Sequence, residues 1–265
     1  MKLPTFETLV AEYRNTAEYN DRLHAQLTAA TFANPLLAHH RQHVEEHHLG
    51  FGDSAFHAMW AALLPHAFAR FGTVRALEIG VFKGQVISLW SLLAREYRLD
   101  VRVSAVSPVA GQPMPHGRLV RWVRYRLDRK FRERIDNGDF YAAADYECIV
   151  RAHFAFHGLE FDRVTLHRGY STDRSLLARL AAETYHIVYV DGDHRFEGAH
   201  HDFTTFGPKV VAGGWLVADD AGCDLPGTTF WKGHAAVSRA TAVLPALGFI
   251  NVLNVGHNRV YERSR

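Results

Sequence analysis

The chain has 265 residues, 48% of them hydrophobic and 22% charged, with a formal net charge of +2, long enough for one large domain or two small ones with a substantial core. That charge gives no whole-chain argument for nucleic acid. The two cysteines, Cys148 and Cys223, match no metal-ligand spacing, and a reduced, cytoplasmic setting is the simplest expectation. No run approaches the ~18 apolar residues of a membrane helix, and MKLPTFETLVAEYRN carries acids where a secretory signal would be apolar.

Residues 1 to about 72 read as helical, as in FETLVAEYRNTAEYNDRLHAQLTAATF and SAFHAMWAALLPHAFARF, where apolar residues return every three or four positions. From Val74 the pattern changes. VRALEIG is a short apolar run closed by glycine, QVISLWSLLAREYR an amphipathic helix, and VRVSAV (101–106) a second strand. Pro108 to Gly117 is a loop. A basic helix (118–135), a helix over 141–158 and the strand RVTLHRG follow, then helix SLLARLAAE, strand HIVYVD, helix FEGAHHDFTTFGPKV and strand GGWLVADD. The helix HAAVSRATAVLPALG precedes FINVLNVGHNRVYERS, a terminal hairpin about Gly256-His257-Asn258.

Strands alternating with helices imply a parallel sheet covered on both faces, with ligands outside the strands' carboxyl ends. The expected fold is α/β: a Rossmann-like, doubly wound sheet, mostly parallel with a C-terminal antiparallel hairpin. It forms a single domain over 1–265, with a helical N-terminal cap (1–72) on a core over 73–265.

The first strand ends in Glu78-Ile79-Gly80-Val81-Phe82-Lys83-Gly84. Gly80 and Gly84 allow a tight turn and close backbone approach to a ligand. A dinucleotide fingerprint requires G-x-G-x-x-G, so this pattern disfavours NAD, although E-x-G-x-x-x-G also occurs in ordinary strand-to-helix turns. Asp191 ends another strand, and Asp219-Asp220 end the next. A right-handed crossover brings both ends to one sheet edge. Three carboxylates there resist joint ionisation unless a cation joins them, and oxygen ligands suit Mg²⁺ before Mn²⁺ or Ca²⁺. The plainer alternative is Asp193 as a helix cap and Asp219-Asp220 as the start of a turn.

Glu78-x-Gly80-x-x-x-Gly84, Gly169-Tyr170-Ser171-Thr172-Asp173, Val190-Asp191-Gly192-Asp193-His194 and Ala218-Asp219-Asp220 together resemble the ordered motifs of class I S-adenosylmethionine-dependent O-methyltransferases. The resemblance is to the metal-dependent members, and VDGDHRFEG is nearest to the macrocin and mycinamicin sugar O-methyltransferases and cephalosporin-hydroxylase-like proteins; it covers about 73–265. It implies that Glu78, Gly80 and Gly84 line the methionine end of S-adenosylmethionine, that Ser171 and Thr172 lie near its adenine, and that Asp193 also touches it. It further implies that Asp191, Asp219 and Asp220 hold Mg²⁺ or Mn²⁺, with His194 as general base beside Asp191, and that the chain forms a homo-oligomer. Ser107 stands where the family keeps its ribose-binding acid, and a serine offers one hydroxyl instead of a bidentate carboxylate. The expected acceptor is a sugar or glycosylated natural product. A catechol-like phenol is the rival within the fold, and a non-catalytic S-adenosylmethionine-binding accessory protein of a hydroxylase system the rival outside it.

His43-Val44-Glu45-Glu46-His47 matches H-x-x-E-H, an inverted zinc-peptidase motif, but no third ligand is evident. With His39, His40 and His48 it reads as a polar helix face near the substrate mouth. Lys83, His200 and His201 read as solvated. RLVRWVRYRLDRKFRER (118–134) combines an apolar stripe with many arginines, either a packing surface or a peripheral membrane contact or lid.

Overall fold

The computed structural model describes residues 3–111, 117–136 and 145–265. Residues 112–116 of the expected loop, and 137–144, where the helix over 141–158 was expected to begin, lie outside them. The cap consists of α1 (Phe6–Glu12), α2 (Ala17–Ala33), α3 (Pro35–Glu46) and α4 (Ala55–Phe71). Thr5, Thr16 and Asn34 accept backbone N–H bonds at the first three N-termini, and Pro35 opens α3 with its preset φ.

The core runs β1 (Val74–Ile79), α5 (Gln85–Tyr97), β2 (Val101–Ser107), α6 (Arg118–Leu127), α7 (Arg129–Asp136), α8 (Tyr146–Phe156), β3 (Thr165–Arg168), α9 (Arg174–Arg179), β4 (Tyr185–Val190), α10 (Phe196–Phe206), β5 (Val210–Ala218), α11 (Ala235–Ala240), β6 (Phe249–Val255) and β7 (Asn258–Arg263). The expected basic helix is two: Asp128 interrupts it and accepts from Phe131 N. The helix expected from 141 starts at Tyr146, capped by Asp145, and the last one tightens into a 3₁₀ turn, Thr241–Leu247, containing Pro245.

The sheet has strand order β3-β2-β1-β4-β5-β7-β6, parallel except for β7, which is antiparallel to β5 and β6. The order reverses between β1 and β4. Side chains alternate across the sheet, giving two apolar layers. Ala76, Ala105, Tyr189 and Trp215 face α4, α5, α8 and the cap, whereas Leu77, Val106, Val188 and Leu216 face α9–α11. Trp60 of α4 meets Trp90 and Tyr189 edge-on at 4.9 and 5.5 Å, so the cap helix lies directly on the first layer. Among the described residues no helix is long and apolar enough to cross a membrane.

Candidate active site

Register brings the strand ends together. Ile79 pairs with Val190 and Val190 with Ala218, so Gly80, Asp191 and Asp219 come next along the same edge. Backbone bonds from Asp191 N to Ile79 O and from Asp219 N to Val190 O hold that edge in step. Gly80 has φ +95°, and a Cβ there would stand 1.9 Å from Asp191 O. Only glycine permits that conformation and approach at the switch point.

Asp191, Asp219 and Asp220 stand at one edge of the sheet, and His194 reaches two of them: its Nε2 is 3.4 Å from Asp191 Oδ1 and 3.4 Å from Asp220 Oδ2, while Asp191 belongs to neither group of three whose ligand atoms come together there. Asp220 has φ +54°, a left-handed conformation that costs an Asp roughly 1 kcal/mol. It is fixed by His234 N bonding to its carbonyl at 2.8 Å and by the backbone bridge between Ala221 and Gly233. Strain of this kind clusters at functional sites.

Two further histidines join the acids, and the sequence reading gave neither a role. His234 Nε2 lies 3.6 Å from Asp220 Oδ2, and its ring stacks on His194 at 4.7 Å. His257, at the tip of the β6–β7 hairpin, places Nε2 3.1 Å from Asp219 Oδ1 and 3.9 Å from Asp220 Oδ1, with Nδ1 3.6 Å from Asp53 Oδ2. The signal for His257 was available in principle. The antiparallel register pairs Ala218 with Arg259, which carries the hairpin tip past Asp219.

Burial, then the charges of Asp219 and Asp220, push the Asp191 carboxyl well above the carboxylate range. Burial and then Asp219 raise Asp220 to about 7. Burial also opposes ionisation of Asp219, but the charge and contact of His257 outweigh it and the net shift is downward. Burial lowers His257, and the attraction of Asp219, with Asp53 and Asp220, reverses this and lifts it to about 9. A bound divalent cation would supply the opposite charge that offsets these raised carboxyl pKa values. One ligand atom each from His194, Asp220 and His234, and from Asp219, Asp220 and His257, fall within 4.8 Å of one another. The donor chemistry thus fits a cation, with nitrogen available beside oxygen.

On the cofactor side, Glu78 is buried on β1, and its Oε2 has no hydrogen-bond partner among the described residues. Burial, then Asp191, holds its pKa well above the usual range. Such an orphaned carboxylate beside the Gly80–Gly84 turn fits a cationic ligand group. Gly84 caps α5 in the left-handed region at φ +90°. Ser107 ends β2, but its hydroxyl already donates to Val81 O at 2.7 Å and accepts from Val109 N at 3.1 Å. The loops after β3 and β4 carry Ser171, Thr172 and Asp193. Ser171 O accepts from His201 Nε2, Thr172 is exposed, and the Asp193 carboxylate is gripped by Arg195 Nε at 2.9 Å.

Several expectations need correction. Lys83 is buried, not solvated: Nζ donates to His48 O at 3.1 Å and lies over the Phe82 ring, because the β1–α5 turn folds under the cap. His201 is half-buried on the Ser171 carbonyl. His40 and His43 are buried against α8 rather than forming a polar face, since that side of α3 packs inward.

The methyltransferase-domain family model matches residues 77–221, the segment from β1 to just beyond β5. No curated protein matches the chain. Among solved structures, the O-methyltransferase NovP is 20% identical, with a TM-score of 0.54 and 79% of each chain covered. An O-methyltransferase from Bacillus cereus in complex with SAH is 12% identical, with TM-score 0.54, covering 94% of this chain and 100% of that one. A putative caffeoyl-CoA O-methyltransferase from Staphylococcus aureus is 11% identical, with TM-score 0.56, covering 92% and 99%. At these identities the likeness is one of fold; with the family match and the motif-bearing sheet edge, it follows that this chain belongs to the methyltransferase-domain family.

Proposed function

We propose that the chain transfers a methyl group from S-adenosylmethionine to a hydroxyl oxygen of a sugar or glycosylated natural product, with Mg²⁺ or Mn²⁺ held by Asp191, Asp219 and Asp220. The observation that carries this reading is His194 Nε2, 3.4 Å from both Asp191 Oδ1 and Asp220 Oδ2 at the carboxyl edge of the sheet. Bound there, the cofactor would supply a methyl group on a good leaving group, and the cation would acidify the acceptor hydroxyl.

In this reading Glu78 holds the cofactor's cationic methionine end, while Gly80 and Gly84 let the β1–α5 backbone approach it. Ser171, Thr172 and Asp193 line its outer side, and Ser107 reaches the ribose only by releasing Val81 O. His194 takes the acceptor's proton at Nε2, and the two carboxylates beside that nitrogen then accept from its N–H and stabilise the imidazolium that forms. The carboxylate oxygens suit Mg²⁺ and Mn²⁺ alike. The oxygen acceptor is supported by the names of the fold neighbours, and the sugar by the VDGDHRFEG resemblance. We further place the amphipathic α6 at an anionic lipid surface.

The test is methyl transfer from labelled cofactor to a panel of glycosides and catechols. Transfer to a glycoside should vanish on thorough chelation and return with Mg²⁺. His194→Ala should keep cofactor binding and lose about 10²–10⁴-fold in turnover. Wild-type turnover in that variant removes the base, preference for catechols replaces the acceptor, and binding without transfer to any acceptor makes the chain an accessory protein.

A further inference from the structure

A second group of ionisable side chains lies away from the acidic site, where α3, α4, α5 and α8 meet. His40 and His57 are 0% exposed, His153 1% and His157 7%. His40 Nδ1 contacts His57 Nε2 at 3.0 Å, and His40 Nε2 contacts Ser88 Oγ at 2.9 Å. Ser88 Oγ also contacts His153 Nε2 at 2.7 Å and donates to Gln85 O. The Nε2 atoms of two imidazoles, from α3 and α8, therefore converge beside one hydroxyl.

Three buried nitrogens, His57 Nδ1, His153 Nδ1 and His157 Nε2, have no hydrogen-bond partner among the described residues. Each such atom costs about 1–3 kcal/mol unless something satisfies it. Burial disfavours the charged form of His40, His153 and His157 and holds all three below the usual histidine range. Neutral imidazoles present lone pairs, which is the state that ligates metals.

We propose that His40, His153 and His157 form a second metal site, for a first-row transition cation such as Zn²⁺, that pins the cap helix α3 to α8. One ring nitrogen from each lies within 4.8 Å of the other two. His153 and His157 are spaced i, i+4, which sets two imidazoles on one side of a helix turn. His57 holds His40 Nδ1 through a contact of the kind that orients a ligand ring, and an ion taken up at His40 Nε2 would replace its contact with Ser88 Oγ. Three nitrogens and no acid select Zn²⁺ over Mg²⁺, which demands oxygen. The peptidase spacing in α3 has a different meaning here: His43 stacks on Phe156 at 3.6 Å, and neither His43 nor His47 belongs to the three-histidine group.

The experiment uses the full chain without an affinity tag, stripped of metal, incubated with Zn²⁺, passed over a weak chelating resin and assayed for bound zinc. To separate the two sites, an Asp219→Asn/Asp220→Asn variant is loaded in parallel. That variant should retain about one equivalent of zinc per chain, and its Co²⁺ form should show the intense visible bands of a tetrahedral nitrogen-ligated ion. Adding His153→Gln/His157→Gln to that variant should lose the equivalent. Absence of retained zinc in the Asn variant, or its retention in the Gln variant, overturns the proposal. Should the Gln variant not fold, X-ray absorption of the zinc-loaded Asn variant decides. Imidazole scattering from three ligands supports the site and an oxygen shell refutes it.

Discussion

His257 reaches the acids from the tip of a hairpin, and its proton ties three elements together. Its pKa is raised to about 9 against an ordinary 6.5, because the folded state surrounds a buried imidazolium with Asp219, Asp53 and Asp220. A raised basic pKa stabilises the fold fully below the unfolded value and stops doing so as pH rises through the folded one. In the chelated protein, His257→Gln should therefore cost on the order of 3 kcal/mol at pH 6, and the difference should close above pH 9. Urea unfolding at the two pH values checks this; an equal deficit at both would mean the residue contributes packing alone. Asp191, Asp219, Asp220 and His194 were legible in the sequence because each lies at or just beyond the end of a strand whose apolar run announces it. His257, His234 and Asp53 were not, since their positions depend on the antiparallel register of β7 and on where the cap comes down.

The pair of helices α6 and α7 shows the same contrast one level up. Leu119, Trp122, Val123 and Leu127 recur at helical spacing, while Arg118, Arg121 and Arg124 take the opposite side. The stripe visible in the sequence was Val120, Val123, Leu127 and Phe131, but its break at Asp128 was not visible there, because a single capping carboxylate outweighed continuous helix propensity. Phe131 of α7 turns inward and is 3% exposed, whereas Leu119, Trp122 and Leu127 of α6 are 75%, 55% and 82% exposed. An exposed apolar stripe flanked by arginines is the pattern of a helix lying in a lipid interface. Co-sedimentation with anionic vesicles should therefore fall about tenfold or more in Leu119→Ser/Trp122→Ser/Leu127→Ser, since each buried apolar side chain contributes ~1.5–3 kcal/mol. Added salt should weaken the wild type further by screening the arginines. Undiminished sedimentation of the triple variant would leave α6 as an ordinary surface helix.

For the molecule as a whole, alternating strands and helices made the parallel sheet readable, and the right-handed crossover rule put the acids on one edge. What remained hidden was how far the first 72 residues belong to the core. Helical periodicity says that a face is buried, but not against what. In the structure Phe6 meets Trp215 edge-on at 5.7 Å, Trp60 packs on Trp90 and Tyr189, and Tyr13 hydrogen-bonds with Asn254. Thr229 N donates to Asp21 Oδ1 at 2.8 Å, and Asp53 faces His257. The cap thus covers one sheet face, clamps the C-terminal strands and supplies a carboxylate at the edge of the acidic cluster. A fragment over 73–265 would expose the whole layer containing Trp90, Tyr189 and Trp215. It should keep far-UV helical signal, lose near-UV dichroism and bind a hydrophobic dye, the behaviour of a compact state without fixed packing. If that fragment instead unfolds in one sharp transition with near-UV bands like those of the full chain, the cap is an accessory and the sheet is stable without it.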